Sequence, residues 1–333
     1  MKNNKLKKKS IIIDTDPGYD DALAIMFLEK SKRFDIEAIT TVCGNSNIEN
    51  VSNNAFFIRN LINSKTPIFV GASKPLKRKL VKADVHGESG LGGMNVKKVF
   101  IEKEEAADKI IEIVRNNPNQ VTILLLSPQT NLAKAFLQDK ALPNLIKEVV
   151  IMGGAICTAG NKNRVAEFNI FVDPEAADIV FRSSVKKTLI PLDLCNKVYL
   201  KPGDLNKIKK TEFYQEIFLM IKSYIEGTEI FERERKAIMY DPLAAYYLIR
   251  PDLFKTQEMN ILIETKGEIT RRMTVAERRK WGSKRNNVNV AVSVNRQFFV
   301  NDFFKILNKR EINSFQSCFR CSVKKNCGFS VFC

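Results

Sequence analysis

Four carboxylates crowd into one short stretch, Asp14-Thr15-Asp16-Pro17-Gly18-Tyr19-Asp20-Asp21, directly after the apolar run Ile11-Ile12-Ile13. Like charges packed this closely repel one another unless something cationic sits among them. Carboxylate and carbonyl oxygens suit a hard divalent ion, calcium or magnesium, rather than zinc. Helix capping is the competing explanation, because acidic side chains are favoured in a first helical turn, but capping accounts for one aspartate and not four. Two other features could share in chemistry at such a site: the later Asp241-Pro242, and His86, the sole histidine of the chain.

For these groups to act together, the ends of several strands must bring them to one place. Short β-branched runs alternate with longer segments of helical period, the pattern of parallel strands joined by crossover helices. The runs predict strands over Ser10 to Asp14, Ile36 to Cys43, Pro67 to Ala72, Val121 to Leu126, Glu148 to Met152 and Thr188 to Leu192. Helices are predicted over Asp20 to Lys30, Ile48 to Ile62, Glu104 to Asn116, Asn131 to Leu137 and Pro174 to Phe181. Strands apolar on both faces need helices on both sides, so the expected fold is α/β, an open and mostly parallel sheet covered on both faces. Beyond Leu192 the pattern loosens into a helical insertion, Thr211 to Ile225, then a helix opening at Asp241-Pro242, where proline suits the first turn. Strands at Asn260 to Glu264 and Val288 to Val294 and a helix around Asn301 to Leu307 follow. Residues 1–312 read as one domain and 313–333 as a cysteine-containing tail. In open α/β sheets ligands bind beyond the carboxyl ends of the strands, where the sequence places Asp14-Thr15-Asp16, Gly44-Asn45, Ser127-Pro128 and Gly153-Gly154.

With 333 residues, 44% of them hydrophobic, the chain can bury a sizeable core. Its formal charge of +17, from 54 Lys and Arg against 37 Asp and Glu, invites a nucleic-acid reading. No basic stripe with interleaved aromatics supports that reading, and no nucleic-acid partner is expected. The apolar run after the basic start is too short for a signal peptide, and no segment is apolar enough to span a membrane. A cytoplasmic protein is expected. Cys43, Cys157 and Cys195 stand singly and are read as small buried residues of a reducing compartment.

The segment Ile13-Asp14-Thr15-Asp16-Pro17-Gly18-Tyr19-Asp20-Asp21-Ala22 resembles the N-terminal signature of the nucleoside hydrolases, the inosine/uridine-preferring N-ribohydrolases. Thr40-Thr41-Val42-Cys43-Gly44-Asn45, His86-Gly87-Glu88-Ser89-Gly90, Val150-Ile151-Met152-Gly153-Gly154, Ala166-Glu167-Phe168-Asn169 and Asp241-Pro242-Leu243-Ala244 are similar to further family motifs, in family order, and the likeness runs from about Ser10 to Leu307. The resemblance implies hydrolysis of the N-glycosidic bond of a ribonucleoside to free base and ribose, and self-association as a dimer or tetramer. It implies a calcium ion held by Asp16, Asp21, the backbone carbonyl of Leu126 and Asp241. The ribose-binding set it implies is Asp20, Asn45, Met152, Asn161, Glu167 and Asn169, with Phe168 beside them; Met152 fits ordinary core packing equally well. Amides and carboxylates suit this task because a sugar hydroxyl both donates and accepts. Glycosidic cleavage passes through an oxocarbenium-like state, for which Asp16 is the expected general base toward the attacking water.

Two departures stand out. Many family members carry a histidine immediately before the late aspartate, where this chain has Tyr240, a phenol that donates protons poorly near neutrality. His86 matches a family position beside the base. Base preference, purine or pyrimidine, is therefore left open. In the tail, Cys318-x-x-Cys321 is half of a zinc-ribbon pattern, but Cys327 and Cys333 are too far apart to complete it. Two other functions start from the same residues. Haloacid-dehalogenase phosphatases also place Asp-x-Asp after a first strand, although they continue with Thr or Val where this chain has Gly18, and a silent nucleoside-binding protein would keep the fold without the chemistry.

Overall fold

The computed structural model describes residues 8–309 apart from 84–89, 92, 93, 95, 99–103, 212, 280, 283 and 284. His86 and the four tail cysteines lie outside the described residues. Eight strands form the central sheet: β1 (Lys9–Thr15), β2 (Phe34–Thr41), β3 (Ile68–Val70), β4 (Val121–Leu125), β5 (Glu148–Met152), β6 (Lys187–Ile190), β9 (Lys255–Met259) and β12 (Val288–Ser293). Two small antiparallel pairs lie outside it, β7 (Tyr199–Leu200) with β8 (Ala237–Ile238), and β10 (Ile261–Ile263) with β11 (Thr274–Ala276). The main sheet runs β3-β2-β1-β4-β5-β6-β12-β9, all pairings parallel except that of β9 with β12.

This order locates the site before any side chain is considered. From β1 the chain winds outward through β2 and β3, then crosses back to lay β4, β5 and β6 on the other side of β1. The strand order reverses between β1 and β4, and the crevice at such a switch point is where open sheets bind ligands.

The six apolar runs of the first half fold as expected, within a few residues at each end. Ile11, Ile12 and Ile13 of β1 and Ile123, Leu124 and Leu125 of β4 have no exposed surface, because helices cover both faces. One face carries α1 (Tyr19–Ser31), α2 (Ile48–Leu61), α7 (Leu192–Cys195), α8 (Tyr214–Glu232), α9 (Tyr240–Ile249) and α10 (Arg296–Leu307); α3 (Ala106–Asn116), α4 (Thr130–Gln138), α5 (Phe168–Val172) and α6 (Pro174–Arg182) serve the other. Helix α1 is buried on nearly every side. Its Phe27 packs at 5.2 Å from Phe303 of α10 and 6.3 Å from Tyr246 of α9, an aromatic cluster that fixes the helix whose first turn carries Asp20 and Asp21.

Some expectations are corrected. β9 was not anticipated, because Lys-Thr-Gln-Glu-Met at the sheet edge is exposed along most of its length and so lacks the apolar alternation that marks a strand. The predicted strand at Asn260 to Glu264 shortens to β10 and joins β11 rather than the main sheet. The helical insertion is later and longer than predicted, Tyr214–Glu232, and α10 begins five residues earlier, capped by the Asn295 side chain accepting from the amides of Gln297 and Phe298. Cys43 and Cys195 are buried, but Cys157 is exposed.

At the amino end of β6, Lys187 is 3% exposed, and its ammonium donates to the carbonyls of Ser183 and Asn287. Burial lowers its pKa to about 8. The folded state thus disfavours the charged form; the penalty is complete below pH 8 and disappears as pH rises toward the unfolded value near 10.5. Melting curves should accordingly show Lys187→Met losing ground to the wild type between pH 8 and 10, and parallel curves would contradict this.

Candidate active site

The segment joining β1 to α1 holds all four aspartates, and local hydrogen bonds sort them into distinct environments. Asp14, still within β1, turns into the sheet: Oδ1 accepts from Thr40 Oγ1 at 2.5 Å and Asn131 Nδ2 at 2.7 Å, and Oδ2 from Ser127 Oγ at 3.3 Å. Burial raises its pKa to about 6, and those three neutral donors restrain the rise. Asp14 ties β1, β2 and α4 together beneath the site.

Asp21 closes the turn. Its Oδ1 accepts from Thr15 Oγ1 at 2.5 Å and the amide of Asp16 at 3.3 Å, and its Oδ2 from the amide of Gly18 at 2.9 Å and Asn45 Nδ2 at 3.2 Å. Asp16 is held from the end of β2: the Asn45 amide donates to its Oδ2 at 2.6 Å, and Asn45 Nδ2 donates to its carbonyl at 3.0 Å. Asp16 Oδ1 is buried and receives no hydrogen bond from the described residues.

Asp241, in the first turn of α9, arrives from the far end of the chain and is 3% exposed. Ligand atoms of Asp20, Asp21 and Asp241 all lie within 4.8 Å of one another. Burial, then the neighbouring carboxylates, push the pKa values of Asp16 and Asp241 well above the usual carboxylate range, and burial raises that of Asp20 to about 7. Buried carboxylates in such mutual repulsion, with Asp16 Oδ1 given no hydrogen bond by the described residues, form a donor set suited to a hard cation.

Asp20 and Asp241 border a cavity of about 110 Å³ that opens to solvent at the switch point. Asp20, Asn45, Leu126 and Asp241 form its acidic side, and Met152, Asn161, Glu167, Phe168 and Asn169 its opposite wall. Glu167 caps α5: Oε1 accepts from the amide of Asn169, Oε2 from those of Ile170 and Gly154. Gly154 can present its amide there because its backbone is left-handed, φ +78°. Asn169 Nδ2 donates to the Leu126 carbonyl at 3.0 Å, which holds that oxygen at the end of β4 with a lone pair to spare. Asn161 Oδ1 accepts from the amide of Phe168 at 2.9 Å. Met152 is 3% exposed and also lines the cavity, so it serves packing and the pocket at once.

Every expected site residue among those described thus converges on the switch point. Asp16 and Asp21 stand just behind the wall that the others form. The sequence reading missed Tyr224 of α8, which lines the cavity with Tyr240, and Lys162, which sits at its rim with Nζ donating to the Lys82 carbonyl at 3.2 Å. Neither lies in a recognisable motif.

A family model described as inosine-uridine preferring nucleoside hydrolase matches residues 11–301. The chain belongs to this family. Among nucleoside hydrolases similar to it are the pyrimidine-specific ribonucleoside hydrolase RihA of Photobacterium profundum, 36% identical over 88% of this chain and 96% of that protein, and the inosine-uridine preferring nucleoside hydrolase of Crithidia fasciculata, 35% identical over 87% and 95%. The solved structure of a purine-preferring ribonucleoside hydrolase from Gardnerella vaginalis superposes with a TM-score of 0.84 at 29% identity, covering 90% of this chain and 98% of that one. These nucleoside hydrolases differ in the base their names specify, so family membership leaves the base open.

Proposed function

We propose that this nucleoside hydrolase cleaves ribonucleosides with a calcium ion held by Asp16, Asp21, the Leu126 carbonyl and Asp241, and with Asp16 as general base. Hydrolysis of the N-glycosidic bond to free base and ribose is the reaction of its family. The observation that carries the finer reading is the buried carboxylate cluster at the β1/β4 switch point, with one oxygen of Asp16 left without a donor among the described residues. A calcium ion bound there supplies the positive charge that offsets the carboxylates, ligates sugar hydroxyls and makes water more acidic.

The chain's own residues divide the remaining work. Asp20, Asn45 and Asn169 offer acceptors and donors for the sugar hydroxyls, and Asn161, Glu167 and Met152 complete the ribose pocket with Phe168 beside them. Asp16, fixed by the Asn45 amide, takes the proton of the attacking water. The concentrated negative charge favours the oxocarbenium-like state over the neutral substrate, so it accelerates the reaction rather than merely binding. Tyr240 flanks the departing base as a stacking surface or hydrogen-bond donor, with His86 as its family-matched companion.

The phosphatase reading gives no role to Asp241, Asn45 or the α5 wall, all of which converge here. A silent binding protein would have no need of a proton acceptor beside the ligand. No helix among the described residues is long and apolar enough to cross a membrane; a cytoplasmic homodimer or homotetramer working in purine and pyrimidine salvage or nucleoside catabolism completes the proposal.

Ribose release from uridine, cytidine, inosine and adenosine, with and without chelator, tests it. Turnover of at least one nucleoside should fall by roughly 100-fold or more on chelation and return with calcium. Chelator-resistant turnover would remove the metal from the mechanism, and phosphate release from phosphomonoesters without ribose would favour the phosphatase.

A further inference from the structure

We propose that Tyr224 is a positioning residue that aims the Asp20 carboxylate at one ribose hydroxyl, and so sets the enzyme's discrimination between ribonucleosides and their deoxy counterparts; the inference rests on the hydrolase reading above.

Tyr224 lies in α8, the helical insertion, and is 2% exposed. It borders the same cavity as Asp20, and its hydroxyl hydrogen-bonds the Asp20 carboxylate. Its ring stacks on Tyr19, the residue before Asp20, with centroids 6.1 Å apart and planes 29° from parallel. The phenol therefore approaches Asp20 from a helix far away in sequence, on a ring that its neighbour keeps from swinging. The amides of Asp20 and Asp21 bind the same carboxylate from the α1 side. Bonded by backbone of its own turn and by a buried phenol from α8, this carboxylate is restrained where a side chain in a first helical turn otherwise turns freely.

Orientation matters here because of how a sugar hydroxyl is recognised. A pocket built to pair a hydroxyl rejects the analogue lacking it, since the buried polar group is then left unpaired. That rejection is strong only if the carboxylate cannot turn to another partner. Loosening Asp20 should thus harm the substrate that carries the hydroxyl and spare the one that lacks it. If Tyr224 served only to pack α8 against α1, its loss would lower every substrate alike.

The test compares kcat/KM for uridine, 2′-deoxyuridine and 3′-deoxyuridine in wild type and Tyr224→Phe, which keeps the ring and its stacking, together with calorimetric binding of D-ribose. The expected result is a loss of roughly 10- to 100-fold on uridine but less than about threefold on one of the two deoxy analogues, with weaker ribose binding in parallel. Asp20→Asn should narrow the same ratio, and Tyr224→Phe added to it should narrow it no further. Equal losses on all three substrates, or an unchanged ratio, would overturn the proposal. A wild type that cleaves no ribonucleoside would instead refute the hydrolase reading beneath it, which separates the two failures.

Discussion

Asp16→Asn is expected to bring kcat down by roughly 1,000-fold or more while the chain keeps its fold and much of its affinity for nucleoside. A positioned general base contributes about 10²- to 10⁴-fold, and Asp16 is also one of the proposed calcium ligands, which places the expectation toward the upper part of that range. Asparagine has the shape of aspartate and can still accept the Asn45 amide that lies 2.6 Å from Oδ2 in the wild type. What it cannot do is take up a proton from water. The loss should consequently fall on kcat with KM much less affected, the signature of an interaction made chiefly in the transition state. Calcium binding measured alongside separates the two roles: a variant that binds the ion yet turns over at a near-normal rate would remove Asp16 as the base. Melting temperature should hold or rise, because Asp16 is a buried carboxylate crowded by Asp20 and Asp21, and neutralising such a group relieves repulsion in the metal-free protein.

That the proposed base stands out in the sequence, and its neighbours only partly, follows from what spacing encodes. Ile11 to Ile13 read as a strand buried on both faces, and the crowding of aspartates behind it as a strand-to-helix turn at the carboxyl end of the sheet. The sequence counts those carboxylates without saying which way each turns. Asp14 belongs to the strand and points into donors from β2 and α4, whereas Asp16 and Asp21 lie past the strand end, where Asn45 reaches them. Spacing along one segment cannot reveal that separation, because the donors come from other strands. Tyr224 was illegible for the same reason. It sits mid-helix among apolar residues that read as core, and only the packing of α8 on α1 brings its hydroxyl to Asp20. β9 escaped notice on different grounds: an exposed edge strand needs its backbone pairing with β12 rather than an apolar face.

Gly44 links these levels, and Gly44→Ala is expected to cost at least about 100-fold in kcat/KM although the residue has no side chain to touch a substrate. A Cβ built on Gly44 would stand 2.0 Å from Asp16 Oδ2 and 2.9 Å from both Asp16 Cγ and the Cδ of Pro128. The carboxylate oxygen cannot yield without giving up the Asn45 amide, and Pro128 blocks the backbone from retreating on the other side. One methyl group must therefore displace either Asp16 or the turn that carries Asn45. A misplacement of about 1 Å at a catalytic group is worth on the order of 100-fold, and forcing a methyl into so tight a site costs about 1–3 kcal/mol of stability. The prediction separates from simple destabilisation through a double mutant. If alanine at position 44 acts by displacing Asp16, then Asp16→Asn together with Gly44→Ala should be scarcely slower than Asp16→Asn alone, since residues that act as a unit are strongly non-additive. Full additivity of the two losses would mean that the methyl harms catalysis by another route, and would loosen the tie between the end of β2 and the proposed base.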